Sequence, residues 1–570
     1  MKYVIYLLLF VSLFPLASCE DDLLDTTPQD ELTDVNFWTS SGDLELYANS
    51  FYQNLPGWAG SGTGYSANPD NGTDLSMGTS ASERLLGNAS VPSTSSSSVW
   101  YWGNVRKANY FLDNVDRVTT GEEEELNHYR GEGYFFRAYY YFDLLQSYGD
   151  LPIIDQYLTD ADLDILYAAR DPRNEVVDFM LNDLDSAIYL LKAKGDAATA
   201  RVCKEVAMLF KARVALYEGT WEKYHAGTDF GVEGSDGSDF LAIAAEAAYD
   251  VIESGSYSLH SDYSSVFNQT DLSSNSEVML WKQYDYSTYG KSYGNDSQVW
   301  PNRSGYTRFA ARSYLCTDGN PISVSPLYVG DLTLSTIETN RDPRLAATIM
   351  VPGDVVTINL DGVTTYFTVT TFTGTNYCPG GMEGQKYRVP EFDANLVAVT
   401  KDLAKISFRY AEALLIYAEA KAELGTISQA DLDISINMLR DRVSMPHLTL
   451  GAIVTDPDWP AYGHDLSDVL YEIRRERTVE LMSEGFRFDD LMRWRAHTLF
   501  VDQRPRGAYY EATIKAKKSG LSVDSENYLD PYLTAVGASG YQFDPERDYL
   551  SALPADELIV NENLEQNPGW

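Results

Sequence analysis

The chain of 570 residues contains few histidines and few cysteines. The six histidines show no metal-ligand spacing, and no HExxH, G-x-S-x-G or P-loop motif is present. The cysteines form no CxxC pair and no metal pattern, and whether Cys316 and Cys378 form a disulfide stays open. The four cysteines are Cys19, Cys203, Cys316 and Cys378. These absences make an enzyme the less favoured class of protein.

Basic residues are also scarce. The chain has 43 Lys and Arg against 84 Asp and Glu, which gives a formal net charge of −41. This balance argues against nucleic acid as a partner, because the basic residues that would neutralise phosphates are few, and it mildly disfavours a strongly anionic ligand. Hydrophobic residues make up 44% of the chain, which indicates a globular protein. The 41 tyrosines suit either sugar binding or helix packing through aromatic edges.

The N-terminus is typical of a bacterial lipoprotein signal peptide. Lys2 precedes an apolar run, Tyr3–Leu16, that is too short to span a bilayer. Small residues then precede a cysteine in Leu16-Ala17-Ser18-Cys19, whereas an ordinary secretory signal needs no cysteine there. We therefore predict a signal peptide over residues 1–18, lipidation of Cys19, and a lipid anchor and tether over residues 19–40.

Two long parts of the chain, residues 41–256 and 404–570, contain segments in which apolar residues recur at helical spacing. Trp58–Ser98 has no long periodic run, and the C-terminal end is rich in loops. Helix pairs of similar length predict a mainly α fold, built on a tetratricopeptide-like scaffold of about four units. The predicted units are residues 122–191, 199–254, 404–442 and 465–497. The predicted helices are Gly42–Leu55, Trp100–Val118, Glu122–Tyr148, Arg173–Leu191, Thr199–Trp221, Asp239–Ser254, Ala404–Leu424, Ser428–Arg442 and a helical hairpin over Leu470–Trp494.

The sequence pattern changes over residues 257–403, and the new pattern predicts a second, irregular lobe with short β-strands. The run EVMLWKQY from Glu277 reads as a strand. Val355–Thr373 alternates and is rich in β-branched residues, and Asp361-Gly362 is a hairpin-turn pair.

The hairpin over Leu470–Trp494 is unusually dense in charge. Gly485 stands where a left-handed helix cap is expected between its two helices. Apolar residues flank the charges on both sides, so we expect buried or half-buried Arg–Glu pairs that fix helix register. A structural role is favoured over a catalytic one.

Two groups of aromatic and planar polar residues lie on predicted loops. Sugars present flat C–H faces and a rim of hydroxyls, which flat rings and Asn, Asp or Arg side chains can meet. Core packing is the alternative role for any single tryptophan. The first group is Arg84, Trp100, Trp102 and Asn104, and the second is Trp281, Tyr284, Tyr286, Tyr289, Tyr293 and Trp300. Of these we predict Arg84, Trp100, Trp102, Asn104, Trp281, Tyr284 and Trp300 as ligand-binding residues.

The loop Thr228–Asp239 is rich in Gly, Asp, Glu and Ser. Clustered oxygens could hold a structural calcium ion, but the spacing matches no EF-hand, so a solvated acidic loop is favoured. We predict no cofactor.

Several motifs occur in an order that resembles the SusD/RagB family of Bacteroidetes outer-membrane lipoproteins along nearly the whole chain. They are DLLDTTP after Cys19, GYFFRAYYYFDLLQSYGDLPII (Gly133–Ile154), RDPRL (Arg341–Leu345), FRYAEALLIYAEA (Phe408–Ala420), RRERTVELMSEGFRFDDLMRW (Arg474–Trp494) and YLSALPADELIVNENLEQNPGW (Tyr549–Trp570).

The resemblance implies a scaffold of four tetratricopeptide-like units and an irregular lobe that carries much of the ligand surface. It implies a lipoprotein on the surface of the outer membrane, seated as a lid on a SusC-like, TonB-dependent β-barrel. Trp100 and Trp102 resemble the paired tryptophans of the starch-binding type member, and Arg84 lies roughly where its arginine would be. Asn104 does not keep the expected spacing. The family is not enzymatic.

The leading hypothesis is a non-catalytic glycan-binding lipoprotein that captures oligosaccharide or polysaccharide and delivers it to the transporter. The second hypothesis is a peptide-binding lid of the same kind of transporter. The third is a surface glycoside hydrolase, although no carboxylate pair is marked among the 84 acids.

Overall fold

Helices form most of the regular structure in the computed structural model of the chain. It describes residues 37–58, 68–78, 81–285, 303–359, 361–374, 377–390, 402–534 and 536–570. The predicted signal peptide, Cys19 and Trp300 lie outside the described residues, as do Tyr286, Tyr289 and Tyr293. Within the described part of the chain, no helix is long and apolar enough to cross a membrane.

The elements follow each other in this order. The helices are α1 Ser41–Ala48, α2 Gly103–Asn114, α3 Glu123–Tyr148, α4 Leu163–Leu166, α5 Arg173–Leu190, α6 Lys204–His225, α7 Ser238–Glu253, α8 Arg308–Ser313, α9 Pro343–Ala346, α10 Tyr410–Glu423, α11 Gln429–Asp433, α12 Ile436–Arg442, α13 Asp468–Glu480, α14 Arg487–Arg493, α15 Ala512–Lys517 and α16 Ala555–Val560. The strands are β1 Ser76–Met77, β2 Val278–Lys282, β3 Gly305–Tyr306, β4 Val355–Ile358, β5 Thr364–Tyr366 and β6 Lys405–Arg409. Short 3₁₀ turns lie at Phe51–Asn54, Ser95–Ser97, Val115–Arg117, Ser264–Val266, Leu334–Thr336 and His497–Leu499.

The long helices pack in pairs, as the tetratricopeptide-like scaffold predicts. Helix α3 packs on α5, α6 on α7, and α10 on both α7 and α13. The α6–α7 crossing is especially close, because a Cβ atom on Gly219 would lie 2.8 Å from the Leu241 nitrogen and 2.9 Å from the Gly237 oxygen. The mainly α fold class is therefore confirmed.

Local signals explain where the longest helix begins and ends. Three glutamates in the first turn of α3 complement the positive end of the helix dipole. Gly149 follows the last turn with φ +73°, a conformation that glycine adopts at little cost. The predicted start at Glu122 differs from the observed start by one residue.

The prediction of a helix over Ala404–Leu424 is wrong in its first part. Residues Lys405–Arg409 form β6, which pairs antiparallel with β2, and α10 begins only at Tyr410. The Tyr410 N–H donates to the Glu277 carbonyl, so this backbone is paired across the sheet and not along a helix. The β2–β6 pair connects the 257–403 segment to the C-terminal helices. The helix predicted over Ser428–Arg442 is likewise divided into α11 and α12.

The predicted hairpin in the irregular lobe is confirmed. Strands β4 and β5 pair antiparallel, and Gly362 in the turn has φ +75°. The strand predicted from Glu277 is β2. The cysteines Cys203, Cys316 and Cys378 are buried and free, so Cys316 and Cys378 form no disulfide.

The charge-dense hairpin consists of α13 and α14, with Gly485 at φ +92° between them. Most of its charges are buried or half-buried and paired, as predicted. The Glu480 carboxylate forms ion pairs with Arg344, Arg409 and Arg442, with nitrogen–oxygen distances of 2.6–3.0 Å. Each pair joins the hairpin to a different element, which fixes how those elements pack.

Candidate ligand-binding sites

Trp100 and Trp102 lie at one surface cavity of about 290 Å³. The cavity is bounded by the start of α2, the segment 152–168 with α4, and α16 with the residues that follow it. Its apolar walls are Pro152, Ile154, Leu158, Ile165, Leu166, Tyr167, Val560 and Leu564. We call it the tryptophan cavity.

The two tryptophan rings differ in exposure. Trp100 is only 5% exposed and packs edge-to-face on Tyr148, with 4.9 Å between ring centroids. Trp102 is half-buried and meets Trp100 edge-to-face at 5.4 Å and Tyr141 at 5.8 Å. Trp100 therefore anchors the wall, whereas Trp102 is the ring that can offer a face to a ligand.

Most polar groups of the tryptophan cavity already hold its backbone in place. Arg106 donates to the Leu158 carbonyl at 2.5 Å and stacks 4.1 Å from the Tyr157 ring centroid. Asn109 donates to the carbonyls of Ile154 at 2.8 Å and Gln156 at 3.0 Å. These bonds fix the segment opposite Trp102, so the cavity is formed before any ligand binds.

The rim of the tryptophan cavity is apolar and exposed. Tyr167 is 41% exposed and Val560 is 63% exposed, and Ile559 beside it reaches 80%. Exposed apolar residues beside a concave site are typical of a binding surface.

The other predicted residues of the first group lie elsewhere. Asn104 accepts a hydrogen bond from Asn54 at 3.2 Å, on the side of α2 that faces α3. Arg84 donates to the carbonyls of Asp548 and Tyr549, and its guanidinium lies 5.2 Å from the Phe488 ring centroid. Neither lines the tryptophan cavity.

Trp281 and Tyr284 are buried in a hydrophobic cluster that also contains Trp58 and Tyr387. The Trp281 indole donates to Gln283 at 3.1 Å, and the Tyr284 hydroxyl accepts from the Trp58 N–H at 2.8 Å. Rings packed in this way are part of the core and do not form an open stacking surface. The structure does not bring them to the tryptophan cavity.

A second and larger cavity, of about 350 Å³, lies in the middle of the helical scaffold. We call it the central cleft. One face each of α3 and α6, strand β6, the start of α10 and the α13–α14 hairpin form its walls. The motif-rich hairpin, expected to be only a scaffold, thus lines the larger of the two cavities.

Most charges around the central cleft are paired. Arg213 binds both oxygens of Glu412 at 2.6 and 2.7 Å, and Asp490 accepts from Arg477 and Arg493 at 2.9 Å. Two carboxyl groups at the cleft have pKa values above the ordinary value of an aspartate, because burial disfavours their charged form. Burial raises the pKa of Asp489 to about 7, helped by the nearby Asp490 and Asp143 carboxylates and opposed by the hydrogen bond from Gln146 and by the Arg84 charge. Burial also raises the pKa of Asp143.

The lysine at the start of β6, Lys405, also lines the cleft. Its burial lowers the pKa of its ammonium to about 8, although the Glu484 carboxylate acts in the opposite direction. No local sequence signal marks Lys405 or Asp489 as a site residue, because the residues that surround them come from distant parts of the chain.

Among the residues that the structure describes, no group of three or more His, Cys, Asp or Glu side chains is placed to hold a metal ion. In the loop Thr228–Asp239, the Asp236 carboxylate instead accepts from the Ser238 N–H at 3.0 Å.

Comparison with known protein families shows which family the chain belongs to. A profile described as "SusD family" matches residues 264–570, which is more than half of the chain. The chain belongs to the SusD family. A second profile, described as "Starch-binding associating with outer membrane", matches residues 70–216 and so contains α2 and both cavity tryptophans.

Individual relatives match most of the chain or nearly all of it. The chain is 24% identical to SusD-like protein P2 of Formosa agariphila over 98% of each chain, and 25% identical to SusD-like protein P38 of the same organism over 85% of this chain and 90% of the relative. The fold is similar to the crystal structure of a SusD-like carbohydrate binding protein from Bacteroides fragilis. That match has a TM-score of 0.73 and 22% identity, and covers 93% of this chain and 100% of the other. A laminarin binding SusD-like protein matches with a TM-score of 0.55 and 19% identity, over 93% of this chain and 98% of the other.

Proposed function

We propose that this SusD family member is a non-catalytic glycan-binding protein that captures oligosaccharide or polysaccharide at the tryptophan cavity. The observation that carries the proposal is the half-buried Trp102 ring in the wall of a preformed cavity. A flat aromatic face is the usual partner of the C–H face of a sugar ring. The carbohydrate and laminarin binding named for solved relatives supports the same ligand class.

Arg106, Gln156 and Glu557 add polar groups to the tryptophan cavity. The Gln156 side chain is exposed and the Glu557 side chain is half-buried, so both can reach ligand hydroxyls. Few polar contacts beside one ring favour modest affinity. Modest affinity suits a protein that must release its ligand.

In the same proposal, Cys19 is lipidated, the chain is anchored in the outer membrane, and it passes the glycan to a SusC-like, TonB-dependent barrel. The profile description "associating with outer membrane" supports the location. Palmitate labelling of the chain expressed in its host, compared with Cys19→Ser, tests the anchor. Label retained by Cys19→Ser contradicts it. Co-purification of a β-barrel with the tagged wild-type chain tests the partner.

Peptide capture is the second candidate, and the apolar rim of the tryptophan cavity favours it. Tyr167, Ile559 and Val560 form an exposed apolar surface that would suit peptide side chains better than sugar hydroxyls. A panel of polysaccharides and a panel of mixed peptides, tested on the same purified protein, separates the two candidates.

The decisive experiment is affinity electrophoresis of the purified protein in gels that contain single polysaccharides. We expect at least one polysaccharide to retard the wild-type chain, and Trp102→Ala to abolish the retardation. Trp459→Ala is the matched control, because Trp459 is half-buried, stacks 4.6 Å from Tyr471 and lies outside the tryptophan cavity. Equal retardation of Trp102→Ala and wild type would contradict the assignment.

A further inference from the structure

The central cleft contains polar atoms that have no partner in the fold. The Tyr217 hydroxyl and the Arg477 Nη1 are buried and make no hydrogen bond. The Lys405 ammonium has no ion pair and no hydrogen bond to any residue in the described ranges, and its side chain is only 7% exposed. All three residues line the same cavity. A buried donor without an acceptor is costly, so the cleft requires water or a ligand to complete it.

Lys405 is the most informative of these groups because no carboxylate in the described ranges forms an ion pair with its ammonium. The carboxylate whose charge acts most strongly on Lys405, Glu484, is already bound by Lys386 at 2.7 Å and by Arg409 at 2.6 Å. Lys405 instead lies between two rings, 4.4 Å from the Trp58 centroid and 4.9 Å from the Tyr387 centroid. The rings stabilise the cation through their π faces, but they supply no counter-charge. This end of the cleft therefore suits an anion.

The walls around Lys405 are rigid. Trp58 donates its indole N–H to the Leu403 carbonyl at 2.7 Å and its backbone N–H to the Tyr284 hydroxyl at 2.8 Å. Lys405 itself is held in the β2–β6 ladder opposite Lys282. The ammonium is thus prepositioned, which lowers the entropy cost of binding.

Other walls of the cleft carry a different set of groups. Asp489 on α14 lies near the Gln146 side chain on α3, and Asp143 lies one helical turn before Gln146. With the Tyr217 hydroxyl they offer both donors and acceptors, the mixture that ligand hydroxyl groups need. The half-buried Phe486 ring adds an apolar face.

We propose that the central cleft binds a small sugar acid, with its carboxylate at Lys405 and its hydroxyl groups at Asp489, Gln146 and Tyr217. The volume of about 350 Å³ lies within the range of small-molecule sites. The proposal does not depend on glycan capture at Trp102, because the tryptophan cavity and the central cleft share no lining residue. Either experiment can fail while the other succeeds.

The test is isothermal titration calorimetry of the purified protein with D-glucuronate, D-glucose and acetate. We expect saturable binding of glucuronate, and binding at least about tenfold weaker for both glucose, which lacks the carboxylate, and acetate, which lacks the hydroxyls. Equal affinity for glucose or for acetate would overturn the proposal. Absence of saturable glucuronate binding would overturn it too, and would mean that the cleft holds water only.

Variants assign the binding to the cleft. Lys405→Met keeps an unbranched side chain between the rings without the charge, and we expect it to weaken glucuronate binding about tenfold or more, whereas Lys405→Arg retains most of the affinity. Lys282→Met is the matched control, because Lys282 is the cross-strand neighbour and its ammonium donates to the carbonyls of Gln53 and Leu55 outside the cleft. Unchanged affinity in Lys405→Met would overturn the site.

A second variant keeps the site testable if Lys405→Met does not fold. Tyr217→Phe removes only the unpartnered hydroxyl and leaves the packed ring in place. We expect a several-fold loss of glucuronate affinity with an unchanged melting temperature. Glucuronate affinity equal to that of wild type would contradict the placement of the ligand hydroxyls.

Discussion

Arg442 donates to the Glu480 carboxylate at 2.6 Å, and neither side chain is more than 2% exposed. Burial disfavours the ionised form of Glu480, but the charges of Arg442, Arg409 and Arg344 outweigh it and hold the pKa of the carboxyl well below its usual range. Three arginines from three elements thus share one carboxylate. Glu480 therefore connects α13 to three other elements of the scaffold.

Glu480→Gln removes the negative charge that the three arginines share and keeps the size of the side chain. We expect a loss of about 3–5 kcal/mol in the free energy of unfolding, because three buried arginines lose the carboxylate they share, although each keeps another one. Urea unfolding followed by circular dichroism measures it. The control is Asp185→Asn, which breaks an exposed pair with Lys211 and is expected to cost less than about 1 kcal/mol. Equal midpoints for the two variants would contradict the structural role.

Trp100 and Trp102 should separate stability from ligand binding. Trp100→Ala empties a packed position against Tyr148, so we expect a loss of about 3–5 kcal/mol in the free energy of unfolding. Trp102→Ala removes a half-buried ring, so we expect a smaller loss, about 1–2 kcal/mol, together with loss of polysaccharide binding. Thermal unfolding and affinity electrophoresis on both variants check the split. A larger loss of stability in Trp102→Ala would reverse the assignment.

Much of the fold could be predicted because its signals are local. The glutamates in the first turn of α3, the turn glycine Gly362 and the periodic apolar residues of α5, α6 and α7 all act within a few residues of the chain. Strand β6 could not be predicted in this way. Its sequence runs straight into a strong helical pattern, and only pairing with β2, more than a hundred residues earlier, makes it extended.

The candidate sites were harder to predict because they too depend on contacts between residues that are distant in the sequence. The sequence placed Trp100 and Trp102 together, but which ring stays open depends on Tyr148 and on α16 from the far C-terminus. Trp281 and Tyr284 had the composition of a sugar site and are core residues. The unpaired charge of Lys405 emerges only once the two partners of Glu484 are known.

Gly219 tests the close α6–α7 crossing. A Cβ atom there would meet backbone atoms of Leu241 and Gly237 at 2.8–2.9 Å, and backbone cannot move aside as a side chain can. We expect Gly219→Ala to cost about 1–3 kcal/mol, against the usual gain of helix propensity for alanine. Gly42→Ala on α1 is the control, since its nearest neighbour is the Ser40 hydroxyl at 3.7 Å. If thermal unfolding shows Gly219→Ala to be as stable as Gly42→Ala, the crossing is looser than described.

Asp489 should make stability depend on pH. Its pKa is about 7 in the folded chain and close to 3.8 when unfolded, so between these values the folded state binds the additional proton. Its contribution to stability is therefore complete below pH 4 and is lost as the pH rises through 7. The groups that face it are Asp490, Asp143 and Arg84.

Asp489→Asn cannot ionise and lacks this dependence. Because water reaches the cleft, we expect roughly half of the full linkage value. From pH 5 to pH 8 the variant should gain about 1–2 kcal/mol in the free energy of unfolding relative to wild type. Urea unfolding at pH 5, 6, 7 and 8 measures the difference, in which the other titrating groups cancel. Asp433→Asn is the control, because Asp433 is fully exposed and the pKa of its carboxyl is lowered, so its difference should stay constant over this range. A constant difference for Asp489→Asn as well would mean that Asp489 is ionised throughout, and that the Asp489 end of the cleft is as wet as the surface.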